Sequence, residues 1–536
     1  MNLTGAFEVL LRAAQMGNPR AQFLVGAMYS QGLGTQPDQA RAILYHTFAA
    51  RAGQVPSLMA LAYKKYYGIG VPVDCYAAAK YYAVVAEHVV RDYKHITGRV
   101  RNPLHLALEE ESTRESKNDD LLQYYRLSAE SGDLAARVGL GQFYLKGLHG
   151  AEQDLDEALL HLLIAADQGR PAAMGLAGAI LYERNDTDDS VERASRLFQS
   201  GAEKDDPLSL NFLGMMLLHG IGVPKESHRA VALLHRAADK HQPDAQVNLG
   251  VLYSAGTLLP RKREKARELF TGAVRQGHLL GRYYLGLLNL GDTPESRVSC
   301  TLAFSMLKAV AEADNETAGH DGLLAMAHED FREGRYNSSA VRFLLAAEQG
   351  LEEAQANAAH LIASGLASLP TSNKTTVLLA NLMRAAAQGS VEAKVRLGDL
   401  FYSGREGVPA NLGKAAAFYT VANLANSAEA MFNLGYMHEH GYGVSLDLVQ
   451  AKRYYDKARE TSEDASLPAT LALAKLGAKL LLSGGDLLGF YDLASKLGDK
   501  DGASLFGWML AGLAEGALIF TLGLGLGILI LIRTRL

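Results

Sequence analysis

The chain has 536 residues, far more than one globular core of ordinary size holds, so it must be divided or built by repetition. Its 53 basic and 58 acidic residues leave a net charge of −5; no strongly basic face is implied, which argues against nucleic acid as a partner. Two cysteines, Cys75 and Cys300, cannot by themselves form a four-ligand zinc site.

The chain opens on Ala6 to Gly17, which reads as the second helix of a helix pair whose first helix is missing. A repeat array normally ends on a polar cap, so the natural start is expected upstream, and no secretory signal is visible in Met1 to Gly17. From there a small residue returns every 36 or 37 residues. Gly26 comes first, Ala62 stands in for a glycine, and the series runs through Gly141, Gly178, Gly214, Gly250, Gly286 and Gly322. Ala359 stands in again before Gly398 and Gly435. A small residue at fixed period means one structural unit copied along the chain, about eleven times. The predicted fold is therefore all-α: an α-solenoid of antiparallel helix pairs, elongated, with a long concave surface suited to holding other proteins.

Each unit reads as helix A, a glycine turn, then helix B, with apolar residues at three- and four-residue steps in both helices. Gly214 and Gly435 fall inside helix A, where glycine costs about 1 kcal/mol against alanine; the next helix must approach closely there. The turn is Gly-x-Gly at Gly32/Gly34, Gly68/Gly70, Gly220/Gly222 and Gly441/Gly443. Gly17, Gly53, Gly132, Gly169, Gly277, Gly350 and Gly389 follow Ala-rich last turns, as left-handed caps of helix B would. In a sequence-ordered array Cys75 and Cys300 lie about six units apart. Packed helices stand roughly 8–10 Å from one another and a disulfide needs Cα atoms within about 7 Å, so the two are not expected to pair within one chain.

The expected organisation follows in chain order. N-terminal repeats occupy 1–90, a charged linker 91–119, and middle repeats 120–365. A loop and helix at 366–389 precede C-terminal repeats at 390–482, and a juxtamembrane segment fills 483–504. Residues 505–532 are the predicted transmembrane helix and 533–536 a short cytosolic tail. The core of that span, Gly516 to Ile532, is 17 uncharged residues, about 25 Å of helix, against a hydrocarbon thickness of about 30 Å. Extending it back to Leu510 makes up the difference. Arg533 and Arg535 follow, which places the tail in the cytosol and the repeats on the other side. A buried terminal helix of the solenoid is the competing reading. Gly512/Gly516 and Gly523/Gly527 have the small-xxx-small spacing of packed membrane helices; tilt of the span accounts for them equally well.

Glycosylation sequons begin at Asn2, Asn185, Asn315, Asn337 and Asn373, and four of the five are expected between helices. If used, they place the repeats in the secretory lumen. No catalytic cluster, cofactor motif or metal motif emerges. His438 and His440 flank Glu439 at i, i+2 and so point to different faces of a helix. The tyrosine pairs Tyr81/Tyr82, Tyr124/Tyr125 and Tyr454/Tyr455 recur at one place in helix B and are read chiefly as packing residues, some of which could line a groove.

These units resemble Sel-1-like repeats, which look like tetratricopeptide repeats with a longer turn. Asp120 to Gly147, Phe331 to Ile362 and Ala430 to Ala458 resemble more closely the Sel-1-like adaptor of the endoplasmic-reticulum Hrd ubiquitin ligase, as does the order of repeats, linker, repeats and one C-terminal span. The resemblance implies a non-catalytic adaptor in ER-associated degradation. Such an adaptor stabilises a membrane RING-type ubiquitin ligase and brings it misfolded lumenal glycoproteins, with an ER lectin docked on the repeats and self-association as a homodimer through the middle ones. It implies single-pass placement in the endoplasmic reticulum membrane with lumenal repeats. Gly441, Tyr442, Gly443, Tyr454 and Tyr455 then mark the repeat that faces the ligase. The chain departs from the family in lacking a signal sequence and a long cytosolic tail. The alternative reading is a tail-anchored scaffold for complex assembly with its repeats in the cytosol.

Overall fold

The computed structural model describes residues 2–93, 104–106, 118–184, 188–291, 297–313, 322–368 and 374–482. They form two compact units, Met1–Leu351 and a second from Glu352 onward, and within the described residues every regular element is a helix. Unit 1 begins with α1 (Leu3–Gln15), α2 (Pro19–Gln31), α3 (Gln39–Arg51), α4 (Val55–Tyr67) and α5 (Cys75–Asp92). Next come α6 (Asn118–Glu130), α7 (Leu134–Lys146), α8 (Leu155–Asp167), α9 (Pro171–Arg184), α10 (Asp188–Glu203), α11 (Pro207–His219) and α12 (Ser227–Asp239). It ends with α13 (Pro243–Ala255), α14 (Arg263–Arg275), α15 (Leu279–Leu290), α16 (Arg297–Ala311), α17 (Leu323–Arg332) and α18 (Tyr336–Ala347). Unit 2 contains α19 (Glu352–Ala363), α20 (Lys374–Ala387), α21 (Val391–Ser403), α22 (Leu412–Asn423), α23 (Ala428–His440), α24 (Leu448–Thr461) and α25 (Glu463–Leu482).

A short local grammar builds each pair. Helix A starts on a polar cap, often followed by proline. Asn18 before Pro19 and Asp206 before Pro207 each accept a backbone N–H of the first turn, and a proline there loses no hydrogen bond. Helix A often ends on a left-handed glycine, and in several units an aspartate or asparagine a few residues later caps helix B, as Asp38, Asp74, Asn411 and Asp447 do. The paired turn glycines are all left-handed, and the second is also pressed on its neighbour: a Cβ on Gly443 would stand 2.4 Å from the backbone of Leu412.

The periodic glycines do what their mid-helix cost implied. Each brings helix A against one large side chain of its own helix B. Gly178 meets Phe198, Gly250 meets Phe270, Gly286 meets Leu307, Gly398 meets Tyr419 and Gly435 meets Tyr455. A Cβ on Gly435 would fall 2.8 Å from the Tyr455 ring, which is fully enclosed. Gly435→Ala should therefore lose up to about 2 kcal/mol: overpacking costs about 1–3 kcal/mol and the better helix propensity returns about 1. A thermal melt of unit 2 reads this directly. Gly322 breaks the series; it caps the start of α17 in a left-handed conformation rather than lying inside a helix.

The expectation that Cys75 and Cys300 cannot pair is overturned. They form a disulfide with Cα atoms 6.1 Å apart. The repeats of unit 1 are not stacked in strict sequence order, which the expectation assumed. Instead α5 lies along α16 as extensively as the two helices of one repeat lie on each other, and it also touches α15. The seam is apolar and aromatic. Phe304 of α16 stacks on Tyr66 at 3.6 Å between ring centroids and meets the Tyr82 ring edge-on at 5.3 Å.

Several expected features lie outside the described residues: the predicted span with Gly512, Gly516, Gly523 and Gly527, the juxtamembrane segment and tail, most of the linker, and the sequons at Asn185, Asn315 and Asn373. Among the described residues no helix is long and apolar enough to cross a membrane. Asn2 caps α1 by accepting the Gly5 N–H, and Asn337 lies exposed in the first turn of α18.

Candidate protein-interaction surface

In unit 2 the A-type helices share one face. Small residues of α19, namely Ala356, Ala359 and Ala363, leave a groove of about 570 Å³ against α21. Successive turns of α21 supply Glu392, Arg396, Asp399 and Tyr402 to its wall, and Arg405 and Glu406 of the following turn extend it. The charges are mixed and mostly at the rim. Arg396 faces Asp399 at 3.9 Å, and Glu406 pairs with Lys374 at 3.3 Å. Asp399 also accepts the Tyr419 hydroxyl at 2.7 Å; burial, and then this bond, hold that phenol well above its usual pKa. Mixed, half-exposed charges beside small apolar residues suit a polypeptide segment better than a single ion.

Tyr402 joins this groove to an aromatic patch. Its phenol lies near those of Tyr436 and Tyr442; burial first, and then these neighbours, raise its pKa. Tyr436 stands 4.2 Å from the His440 ring and 6.2 Å from Tyr442, and His440 stacks on Tyr442 at 5.4 Å. Lys475 of α25 reaches over Tyr436 at 5.9 Å and pairs with Glu439 at 3.0 Å. Tyr442 is 41% exposed, and beyond the turn Leu446 projects further. Tyrosines fixed by ring contacts and still open to solvent bring large area at small entropic cost, the usual composition of an interface centre.

The five residues predicted to mark this repeat divide. Gly441 and Gly443 form the left-handed turn that carries Tyr442 outward. Tyr455 is 1% exposed and belongs to the core; it donates to Glu439 at 2.9 Å, and burial followed by that bond raises its pKa. Tyr454 stacks on His438 at 5.6 Å, on another side of the pair from Tyr442. His438 and His440 do separate, with His438 bonded to the Ser445 carbonyl and His440 to that of Tyr436. Sequence reasoning missed Tyr402 and Tyr436. Both follow the periodic glycine on helix A, by four residues and by one, and attention to helix B hid them. Tyr436→Ala combined with Tyr442→Ala should leave the unit folded, since both rings are part exposed, and should weaken binding of a partner docked here at least about tenfold in a pull-down.

The Sel1 repeat pattern matches residues 19–54, 55–85, 134–169, 207–241, 243–278, 391–427 and 428–460, the last two covering α21 to α24. Protein sel-1 homolog 2 of Homo sapiens is 38% identical over 489 residues, spanning 90% of this chain and 70% of the relative. The chain belongs to this Sel1 repeat family. A second member is the ERAD-associated E3 ubiquitin-protein ligase component HRD3A of Arabidopsis thaliana, 36% identical over 494 residues, 88% of this chain and 70% of that one. The corresponding component HRD3 of Candida glabrata is 34% identical over 179 residues, 32% of this chain and 20% of that one. The all-helical solenoid predicted from the glycine period is thus built of the Sel1 repeats that the resemblance implied.

Proposed function

We propose that this chain is a non-catalytic adaptor of an endoplasmic-reticulum membrane ubiquitin ligase complex, recruiting misfolded lumenal glycoproteins for degradation and stabilising the ligase. The observation that carries this reading is the likeness to HRD3A along nearly the whole chain rather than over one repeat. The architecture supports it. A solenoid's extended helix faces sum many weak contacts into useful affinity, and the Tyr402–Tyr436–Tyr442 surface offers the contact area of a docking site.

The repeats lie in the lumen, anchored by the span at 505–532 as a single-pass membrane protein. The Cys75–Cys300 disulfide favours this side over the cytosolic, tail-anchored alternative, because disulfides persist in oxidising compartments and rarely in the cytosol. A membrane RING-type ubiquitin ligase docks on the repeat at Gly441 to Tyr454. An ER lectin and client glycoproteins use the remaining repeats, and a second copy pairs through the middle repeats as a homodimer.

Electrophoretic mobility of the full-length chain from cells, with and without peptide N-glycosidase, tests the placement. A downward shift is expected; no shift, with the repeats open to protease in intact microsomes, overturns it. Co-purification then tests the role, and recovery of the tagged chain without any membrane ubiquitin ligase counts against an adaptor.

A further inference from the structure

Among the described residues the first five helices meet the rest of unit 1 chiefly at two places, and Val90 of α5 with Tyr93 beyond it also packs on the core of α13 to α15. One is the seam of α5 on α16, closed by Cys75–Cys300. The other is where α2, α3 and α4 meet the end of α18. There Glu348 is 1% exposed and takes the ammonium of Lys64, also 1% exposed, at 2.6 Å. The amide of Gln31 donates to the same carboxylate at 3.3 Å, and the fully buried His46 ring lies 3.5 Å away. Lys64 also donates to Ser30 at 3.1 Å and to Gln39 at 2.9 Å. Burial lowers the His46 pKa against the pull of Glu348, and the close ammonium of Lys64 is the countercharge to that carboxylate. Just beyond, Gly350 packs so closely on Tyr63 that a Cβ there would collide with its side chain. Lys64, Gln31 and His46 thus all meet one acidic residue more than 280 residues later in the chain.

A buried ion pair fixes one geometry more than it adds net stability. The cluster therefore sets where the first five helices dock, and the covalent bond decides whether they stay. We propose that α1 to α5 form a detachable module, clasped on the array by Cys75–Cys300 and registered by Lys64–Glu348, and that thiol–disulfide exchange with a dithiol reductant releases it. Cys75 is the more accessible cysteine of the pair: it stands at the start of α5 and is half-buried, whereas Cys300 is 8% exposed. A reductant thiolate attacks Cys75 Sγ and Cys300 leaves as a thiolate that takes up a proton. The reductant's second thiol then attacks its own sulfur in the mixed disulfide and frees Cys75. The chain's disulfide gains two electrons and two protons, and the reductant's two thiols become a disulfide. Release bares the faces of α5 and α16 that carry Tyr82, Phe304 and Leu307. The inference is independent of which ligase or client the chain serves.

Amide hydrogen exchange of the full-length chain, oxidised and after dithiothreitol, tests this, with peptide mapping first to find Cys75 linked to Cys300. Reduction should speed exchange in α5 and α16 by about tenfold or more and leave α10 to α12 unchanged. Oxidised Glu348→Gln should keep α5 and α16 protected, because the covalent tie remains. Free thiols in the purified chain, unaltered exchange on reduction, equal acceleration through α10 to α12, or full release in oxidised Glu348→Gln would each overturn the proposal.

Discussion

Replacing Glu348 with alanine should lower the stability of unit 1 by about 3–5 kcal/mol, the usual cost of stranding one partner of a buried ion pair. The ammonium of Lys64 would remain enclosed with only Ser30, Gln39 and the rest of its polar surroundings to hold it. The cost should be largely recovered when the second charge goes too. Lys64→Met combined with Glu348→Leu should be far less destabilised than the sum of the single changes, because two apolar groups of similar volume need no countercharge. Urea midpoints followed by circular dichroism close the cycle. Additive losses would mean that the two residues act separately despite their 2.6 Å contact.

The second large effect falls on the aromatic seam. Phe304→Ala should cost about 3–5 kcal/mol, as deletion of a buried phenyl ring does, because the ring is 3% exposed and packed between Tyr66 and Tyr82. Its partners belong to α4 and α5, so the loss should appear as easier separation of the first five helices rather than as melting of α16 against α15. Trypsin should then cut around α5 in the variant at concentrations that spare the wild type. A midpoint shift without that change in cleavage would place the role of Phe304 inside its own repeat.

The repeat, its turns and its close helix contacts were legible because each rests on local chemistry. A glycine inside a helix, opposite a phenylalanine or tyrosine some twenty residues later, can be read from spacing alone, and Gly250–Phe270 and Gly435–Tyr455 obey it. The Cys75–Cys300 pairing was not legible. The spacing of repeats predicts which helices are neighbours only while the array follows chain order, and α5 on α16 does not. Nothing in Lys64 or Glu348 marks them as partners either, since each looks like one more surface charge near a helix end. The interaction surface was half legible. The turn at Gly441–Gly443 gave its position, while Tyr402 and Tyr436 required knowing that the A-type helices of unit 2 present one shared face.

The docking of α5 on α16 sets a timetable for biosynthesis. Helices α1 to α5 are made first, yet the cysteine that completes their seam arrives 225 residues later. At about 5–20 residues per second, Cys75 waits on the order of 10–45 s as a free thiol beside an uncovered aromatic face. During that interval the nascent chain is itself a client for holding factors and thiol oxidases, and its own maturation passes through the kind of half-folded state that quality control exists to sort.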